Sequence, residues 1–467
     1  MSPDWTSTGR TSTGPTGTGW AGTARAASGS VKAGRTRDRA DEPADWRHGG
    51  SGAALGERAL RLRDAAVSLK MLLGRPLASY YLVLGCTLLL LAVGLMMVLS
   101  TSTAYDLDTH APPYSMFEKQ LLGALAGLVI MCLAAKAPVR LFRVFAYPLL
   151  LASLLGLVLV LMFGPEVHGV QRWLVVGGNE VQPSEFAKLA LVVWGADLLA
   201  RKDRLGQLTD WRHLLVPLLP GTALVCMLVM IGKDLGTTFL LLVIFMALLW
   251  IVGAPGKLLI GMLALLVFAL GMLVAVHSYE WTRLVGFLSS KPSGNCVSMT
   301  CYQLTQGKDA LGSGGWFGVG LGASTAKWGW LPLAYADFIF AVVGEELGLV
   351  GAICVILLYA GLAFAGLRIA RRAPDAFSRL AAGSITVWLI TQAVVNMGAV
   401  LGLLPITGVP LPLISAGVSS LIVTLAALGM LLSFARAEPG AAQALAAAGR
   451  GRPRRLLGWL GIAGRRS

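Results

Sequence analysis

Three carboxylates occur in one strongly apolar stretch, WGWLPLAYADFIFAVVGEELGLVG, which runs from Trp328 to Gly351. Asp337 stands where the apolar run begins, and Glu345 and Glu346 follow about two helical turns later. An Asp at the start of a helix is commonly an N-cap, which is one explanation of Asp337. The other explanation is chemical, because partial removal from water makes a carboxylate a stronger base.

The two glutamates need a different explanation, because capping does not account for them. At about 100° per residue, Glu345 lies roughly 80° from Asp337 around a helix, and Glu346 about 180° from it. At least one of them must therefore face the interior and find a partner. We interpret both as structural residues that form hydrogen bonds to neighbouring helices.

A second polar cluster lies in GVQRWLVVGGNEVQPSEFAKLALVVW, where Pro183 and Ser184 indicate the start of a helix. Glu185 and Lys188 are three residues apart and share a face of its first turn, which predicts an ion pair. Glu185 is equally consistent with capping and with catalysis. Lys188 lies inside the apolar run, so it needs an anion from the protein or from a substrate.

Other polar positions have simpler explanations. Asp234, in GKDLGTTF, opens a predicted helix and is interpreted first as its N-cap. Arg172 and Trp173 are typical of a loop that is anchored at a membrane interface. Gln303 and Gln306 lie in a glycine-rich loop, which can bend or approach a ligand closely.

Composition fixes the class of protein. The chain has 467 residues, of which 55% are hydrophobic and 13% charged, whereas soluble domains carry about 25% charged residues. The net charge of +15 would suit nucleic acid, but the basic residues crowd the termini and alternate loops, as membrane topology requires. We therefore expect no nucleic-acid partner, and no Cys or His spacing typical of a metal site is present.

The apolar pattern predicts an all-α polytopic membrane protein with ten transmembrane helices. The segments lie near residues 78–100, 120–135, 144–163, 184–200, 214–231, 234–252, 258–277, 338–367, 380–402 and 411–435. Short connections predict antiparallel pairs for segments 1–2, 5–6 and 9–10.

The distribution of Lys and Arg predicts the orientation. Loops after segments 2, 4, 6 and 8 hold twelve of them, against three after segments 1, 3, 5 and 9. The first group is therefore cytoplasmic, as are both termini, and the long loop 279–336 between helices 7 and 8 is extracytoplasmic. In that oxidising space Cys296 and Cys301 form a disulfide or remain as two thiols.

The regions outside the ten segments differ in character. Residues 1–52 are polar and repetitive, which predicts a disordered cytoplasmic tail. Residues 53–76 carry leucines and alanines at helical spacing with basic residues on other faces, typical of an interfacial amphipathic helix or a solvated linker. Residues 437–467 form a basic cytoplasmic tail.

Five motifs in order resemble the SEDS family (shape, elongation, division and sporulation proteins) over residues 77–436. They are GVQRW…QPSEFAK, DLGTT, YQLTQ…GSGGWFGVGLG, LP…ADFIF…GEELGLVG and NMGAVLGLLPITGVPLPLISAGVSS. The resemblance implies a glycosyltransferase of the bacterial inner membrane, with its active site on the extracytoplasmic side. It would polymerise lipid II with inversion, and work with a class B penicillin-binding protein and other division proteins.

The resemblance also implies roles for residues. Asp337 matches the essential carboxylate of the family and would be the general base, with Lys188 nearby holding it ionised and oriented. The residues assigned to substrate binding are Arg172, Trp173, Glu185, Gln303, Gln306, Ser415, Ser419 and Ser420. Arg172, Arg283 and Lys327 are candidates for the pyrophosphate. No cofactor is certain, although a divalent cation near Asp234 or Glu185 would suit the same task.

The chain departs from the family pattern at several positions. Leu333, Tyr335 and Ala336 stand where many members have Glu, His and Thr. Lys233 stands where Pro is usual, and Val418 where a Gly is usual. The form LPLISAG and the long basic tails are more typical of the division branch (FtsW) of an actinobacterium than of the elongation branch (RodA).

Two functions of other classes suit the same features. Ten helices with charges at membrane depth could form a lipid II flippase, although no repeat relates the two halves and the polar clusters crowd one side. A scaffold that only recruits division proteins is the second alternative.

Overall fold

The computed structural model describes residues 77–166, 170–206, 211–276 and 299–441, apart from positions 109, 111, 113 and 178. The predicted tail 1–52, the segment 53–76, most of the C-terminal tail, Arg283 and Cys296 lie outside these residues. The helices are α1 (Ala78–Asp108), α2 (Ser115–Lys136), α3 (Val139–Phe163), α4 (Pro183–Arg204), α5 (Trp211–Leu215), α6 (Leu218–Ile231), α7 (Leu235–Val252), α8 (Gly256–Val276), α9 (Met299–Ser313), α10 (Ile339–Arg372), α11 (Ala376–Val400) and α12 (Val418–Arg436). The strands are β1 (Leu174–Val176) and β2 (Asn179–Val181).

Eight spans in the described part of the chain are long and apolar enough to cross a membrane. They are α1, α2, α3, the α5–α6 pair, α7, α10, α11 and α12. The remaining two predicted segments correspond to α4, which carries several charged residues, and to α8, whose sequence is apolar after Lys257. The three predicted pairs of neighbouring helices, α1–α2, α6–α7 and α11–α12, are each in contact.

Several predicted boundaries are wrong, for local reasons. Helix α12 begins at Val418 rather than near 411, because Pro410 and Pro412 cannot donate helical hydrogen bonds and hold an irregular segment ahead of it. The segment 214–231 is divided into α5 and α6 at Pro217. Helix α1 continues to Asp108, about two turns beyond the predicted end.

Helices α4 and α11 form the centre of the bundle. Helix α4 contacts α3, α7, α11 and α12, and nearly every residue from Pro183 to Ala200 is buried. Helix α11 packs on α10, α7 and α4, and its Trp388 is fully buried. Polar side chains on these two helices are therefore removed from both lipid and water, and must find partners inside the protein.

The all-α prediction misses a short antiparallel hairpin ahead of α4. Strands β1 and β2 pair Val175 with Glu180, and the turn between them begins at Gly177. Strand β2 leads through Gln182 into Pro183, the first residue of α4. Three-residue strands give no periodic signal, so the apolar pattern could not reveal them.

The glycine-rich loop ahead of α10 inserts into a break in that helix. At Gly348 the backbone has φ 70° and ψ −170°, a conformation that is essentially restricted to glycine. In a continuous helix the Glu345 carbonyl would accept from the Leu349 amide. Here the Glu345 carbonyl accepts from Val319 N (2.9 Å), and the Leu349 amide donates to Gly315 O (2.9 Å).

Candidate active site

Asp337 lies in the turns immediately before α10 rather than within the helix. The helix begins at Ile339, and its N-cap residue is Phe338, which forms no side-chain capping bond. Interpreting Asp337 as an N-cap is therefore wrong, because the carboxylate lies one residue too early. Its side chain is partly exposed, so the function of this carboxylate needs another explanation.

The backbone around Asp337 is held by three consecutive carbonyl groups. The Tyr335 carbonyl accepts from Ala416 N (3.0 Å), and the Ala336 carbonyl from Ser415 Oγ (2.7 Å). The Asp337 carbonyl accepts from Asn396 Nδ2 (2.9 Å). These bonds connect the loop to α11 and to the segment before α12, so the position of the carboxylate is fixed by parts of the chain distant in sequence.

The serines assigned to substrate binding have structural partners. Ser415 Oγ also accepts from Leu411 N (2.8 Å), which stabilises the irregular segment before α12. Ser419 Oγ accepts from Gln182 N (3.3 Å) and donates to Glu180 O (3.2 Å), so it joins α12 to the hairpin. The structure therefore gives both hydroxyls positioning roles within the protein, and their assignment to substrate binding stays a prediction. Ser420 is half-buried beside Gly417.

Lys188 is fully buried and paired within the protein. Its ammonium donates to Glu185 Oε1 (2.8 Å) and to Gln392 Oε1 (3.1 Å), and lies 5.2 Å from the centre of the Trp388 ring. The predicted ion pair with Glu185 is confirmed. The hydrogen bonds of Lys188 are with Glu185 and Gln392 and not with Asp337, so its expected role in holding Asp337 ionised and oriented stays a prediction.

A polar path nevertheless leads from Lys188 toward Asp337. Gln392 and Asn396 are four residues apart and share a face of α11. Gln392 Nε2 donates to Pro410 O (2.9 Å), and Asn396 Nδ2 donates to Val409 O (2.8 Å) as well as to the Asp337 carbonyl. Sequence reasoning missed both amides, although their four-residue spacing in an apolar helix was a signal that could have found them.

Arg172 lies near Asp337, across Gly408. A methyl group placed on Gly408 would lie 3.6 Å from Arg172 Nη1 and 3.7 Å from Asp337 Oδ2, so the guanidinium and the carboxylate flank the same glycine. Arg172 Nη2 donates to Lys233 O (3.0 Å), and its Nε lies 3.9 Å from Asp234 Oδ2. This arrangement puts a cation next to the carboxylate at the edge of the bundle.

The departure at Lys233 has a structural consequence. Lys233 has φ 58°, a left-handed conformation that a proline ring, fixed near about −65°, cannot adopt. The Lys233 carbonyl that accepts from Arg172 is therefore presented by a backbone that a proline would not permit. Val418, which stands where a Gly is usual, packs against Gly123 of α2.

Two tyrosines and a glutamate complete the surroundings of Asp337. The rings of Tyr105 and Tyr335 contact edge to face, with centroids 4.7 Å apart. Burial first, then the neighbouring Tyr105, Asp337 and Glu180, raise the pKa of the Tyr335 hydroxyl, so it stays protonated. Tyr335 stands where many members of the resembled family have His, and it offers a hydrogen-bond donor in place of a titrating base. Glu180, which is exposed on β2, was also missed from sequence.

Glu345 and Glu346 are both buried and bind the loop ahead of α10. Glu345 accepts from Ser324 Oγ (2.5 Å) and from Thr325 N (2.8 Å). Glu346 Oε1 accepts from Ser100 Oγ of α1 (2.5 Å) and pairs with Lys327 Nζ at 3.3 Å. The predicted bond to a neighbouring helix is present for Glu346, whereas Glu345 bonds to the loop instead of a helix. Lys327 is buried and paired with Glu346, which argues against its expected role at a pyrophosphate.

The remaining predicted residues lie around this centre. Gln303 is buried and Gln306 half-buried on α9, and Gly307, the residue after Gln306, packs against the ring of Phe338. Helix α9 therefore lies next to the Asp337 loop. Trp173 is half-buried just before β1. Cys301, on the same helix as the glutamines, is disulfide-bonded, and its expected partner Cys296 lies outside the described residues.

The residues proposed for a divalent cation do not fit one. Asp234 caps α7 and accepts from Thr237 N (3.1 Å), Thr237 Oγ1 (2.8 Å) and Gln182 Nε2 (3.3 Å), so its oxygens face donors. Glu185 is engaged with Lys188. Among the residues that the structure describes, no group of three or more His, Cys, Asp or Glu side chains could hold a metal ion.

Comparisons with known proteins agree on one family. A relative from Mycobacterium tuberculosis, named probable peptidoglycan glycosyltransferase FtsW, is 40% identical over 387 residues, covering 82% of this chain and 73% of its own. Another of the same name, from Thioalkalivibrio sulfidiphilus, is 39% identical over 388 residues, covering 79% and 92%.

Solved structures give the same result. A chain from a peptidoglycan synthase complex described as coordinating polymerization and crosslinking has a TM-score of 0.63 and 29% identity, covering 76% of this chain and 97% of that one. The rod shape determining protein RodA of Thermus thermophilus has a TM-score of 0.55 and 29% identity, covering 76% and 96%. The family model for FtsW, RodA and SpoVE, described as cell cycle protein, matches residues 80–439. The chain therefore belongs to the FtsW/RodA/SpoVE family.

Proposed function

We propose that this protein is a peptidoglycan glycosyltransferase that polymerises lipid II into β-1,4 glycan strands during cell division. The family and the names of its relatives support the reaction class. The observation that carries the proposal is the placement of Asp337. Asp337 is partly exposed and lies near Arg172. Its own carbonyl accepts from Asn396, and those of the two preceding residues accept from Ala416 and Ser415.

The chemistry follows from the stereochemistry of the substrate. The α-linked pyrophosphate of the donor and the β-linked product require inversion at the anomeric carbon, which one displacement achieves. Asp337 accepts the proton of the acceptor 4-hydroxyl as its oxygen bonds to the anomeric carbon. The bond to pyrophosphate breaks, and the electron pair leaves with undecaprenyl pyrophosphate. Arg172 offsets the negative charge that develops there.

Membrane placement is part of the proposal. With α4 and α8 also crossing, the domain has ten spans with both termini cytoplasmic. Arg368, Arg371 and Arg372 lie at the end of α10 away from Asp337, which supports a cytoplasmic position for that end. The disulfide of Cys301 supports an oxidising compartment around α9. Asp337 then faces the extracytoplasmic side, where the sugars of lipid II would meet it while the prenyl chain stays in lipid.

The protein would act at the division site of the plasma membrane with a transpeptidase of the class B penicillin-binding type. The similarity to a chain taken from a peptidoglycan synthase complex supports such a partner. The similarity to relatives named FtsW supports division over elongation.

The test is glycan synthesis by the purified chain in detergent with lipid II. Asp337→Asn preserves shape and removes the base, so the rate should fall roughly 10²–10⁴-fold. Glu118→Gln, an exposed carboxylate in the first turn of α2, is the matched control and should retain the wild-type rate. An Asp337→Asn variant as fast as wild type would refute the assignment of the base. A wild type that makes no glycan but moves lipid II across vesicles would identify a flippase.

A further inference from the structure

The main chain of the loop Gly314–Gly320 forms hydrogen bonds to α10 that would otherwise be made to water. Val319 N and Gly320 N donate to the carbonyls of Glu345 and Glu346, at 2.9 and 3.2 Å. In return, the amides of Leu349 and Val350 donate to Gly315 O and Trp316 O, at 2.9 and 3.2 Å. Non-helical backbone is tolerated at membrane depth only when its polar groups are satisfied by protein. The exchange of hydrogen bonds at the break in α10 meets that requirement.

The lengths of α10 and α1 indicate the depth of this loop in the membrane. A span of the hydrocarbon takes about 20 helical residues. Counted from Arg368, at the basic end of α10, that length reaches Gly348. Counted from Ala78, at the start of α1, it reaches the neighbourhood of Ser100, the residue that binds Glu346. Both counts place the break in α10 at the outer boundary of the membrane.

Exposure along α10 changes at the same place. Every residue from Ile339 to Glu346 is buried, whereas Leu349 and Val350 are 44% and 51% exposed and begin the lipid-facing side of the helix. The adjoining loop residues Trp316 and Phe317 are 70% and 83% exposed. Because the Val350 amide donates to the Trp316 carbonyl, these exposed loop residues adjoin the exposed residues of α10.

We propose that the outer leaflet of the bilayer covers Trp316 and Phe317, so that the loop is an interfacial membrane anchor. Tryptophan suits this level because its ring is apolar and its N–H reaches the headgroup region. The proposal rests on the orientation of the chain and not on its activity. Through Lys327–Glu346 and Thr325–Glu345, the anchor fixes the loop that carries Asp337 relative to lipid-linked substrates.

The experiment uses the full chain, without any partner, in vesicles of phosphatidylglycerol and phosphatidylethanolamine. Tryptophan emission is measured with acyl-chain-brominated lipid, which quenches rings in the leaflet, and separately with external iodide, which quenches rings in water. Trp316→Phe should remove about one tryptophan's share, of thirteen, from the emission quenched by brominated lipid. Because Trp316 is largely exposed, the substitution leaves interior packing unchanged.

The control is Trp194→Phe, which changes a buried ring that packs on Gly221. It should leave the amount of emission quenched by brominated lipid as in wild type, because the ring that it removes is not among those quenched. If Trp316→Phe instead lowers the share quenched by iodide, the ring faces water in the isolated chain, and the surface awaits a protein partner. That result would overturn the proposal whether or not the chain polymerises lipid II.

Discussion

The side-chain amide of Asn396 donates a hydrogen bond of 2.9 Å to the main-chain carbonyl of Asp337. Through it, the loop that carries this carboxylate is bonded to α11, one of the two central helices of the bundle. The same amide also donates to Val409 O at 2.8 Å, so it joins three segments of the chain. The position of the proposed base therefore depends on a buried residue that does not itself need to touch substrate.

Asn396→Leu should lower kcat on the order of 10²-fold, because displacements of about 1 Å at a reacting group have that effect. The KM for lipid II should change much less, since the contacts to bound substrate remain. Steady-state glycan synthesis measures both constants. If the variant unfolds at a lower temperature and regains the wild-type kcat at temperatures where it is folded, Asn396 acts only in folding.

The buried pair of Glu185 and Lys188 should be sensitive to the loss of either partner. Lys188→Met leaves a carboxylate that is 2% exposed without its cation and should cost about 3–5 kcal/mol of stability. The double variant Glu185→Gln/Lys188→Met should recover part of this loss, because no uncompensated charge remains.

Arg379→Met is the matched control for that prediction. Arg379 and Asp203 are 45% and 40% exposed and 3.8 Å apart, so this variant should cost less than about 1 kcal/mol. Thermal unfolding in detergent compares the variants. A Lys188→Met protein as stable as Arg379→Met would contradict the assigned role of the buried pair.

The break in α10 predicts a large difference between two glycine substitutions. A Cβ at Gly348 would lie 2.3 Å from Gly318 N, and the backbone there has φ 70°. Gly348→Ala should therefore cost at least the roughly 1–3 kcal/mol of backbone strain, with the steric clash added. Gly85→Ala, on α1 with no atom within 4 Å, should be neutral or stabilising by up to about 1 kcal/mol. Thermal unfolding midpoints of the two variants in detergent test this difference. Equal midpoints would contradict the strained backbone at Gly348.

The burial of the Tyr335 hydroxyl predicts that the stability of the protein falls at alkaline pH. Because burial and the neighbouring Tyr105, Asp337 and Glu180 raise its pKa in the folded protein, its neutral form is favoured by folding. Stability from this group is complete below the ordinary tyrosine pKa of about 10 and is lost as the pH rises above it. Tyr335→Phe should therefore lose less stability than wild type above about pH 10.

Tyr81→Phe, an exposed ring on α1, is the control and should follow the wild-type curve. At neutral pH, Tyr335→Phe should retain far more activity than Asp337→Asn, because a protonated hydroxyl cannot serve as the base. Parallel pH curves for Tyr335→Phe and wild type would contradict the burial of this hydroxyl.

The apolar pattern predicted the helices well, because each long apolar segment has to bury or face lipid as a helix. It also located Asp337, Lys188 and Asp234, since charges in such segments are few and expensive. It could not predict contacts between distant segments. The exchange of hydrogen bonds between the loop and α10, and the carbonyl contacts of Ser415 and Asn396, depend on packing that no local spacing reveals. For the same reason the spacing predicted the contact of Lys188 with Glu185, three residues away, but not the one with Gln392 of α11.

The three bonded carbonyls at positions 335–337 have a further consequence. Main-chain oxygens are identical in every amino acid, so this attachment is indifferent to which side chains the loop carries. Leu333, Tyr335 and Ala336 can thus differ from the family pattern without moving the carboxylate at 337. The side chains next to the base can therefore differ between members of the family, while main-chain hydrogen bonds keep the base in the same position.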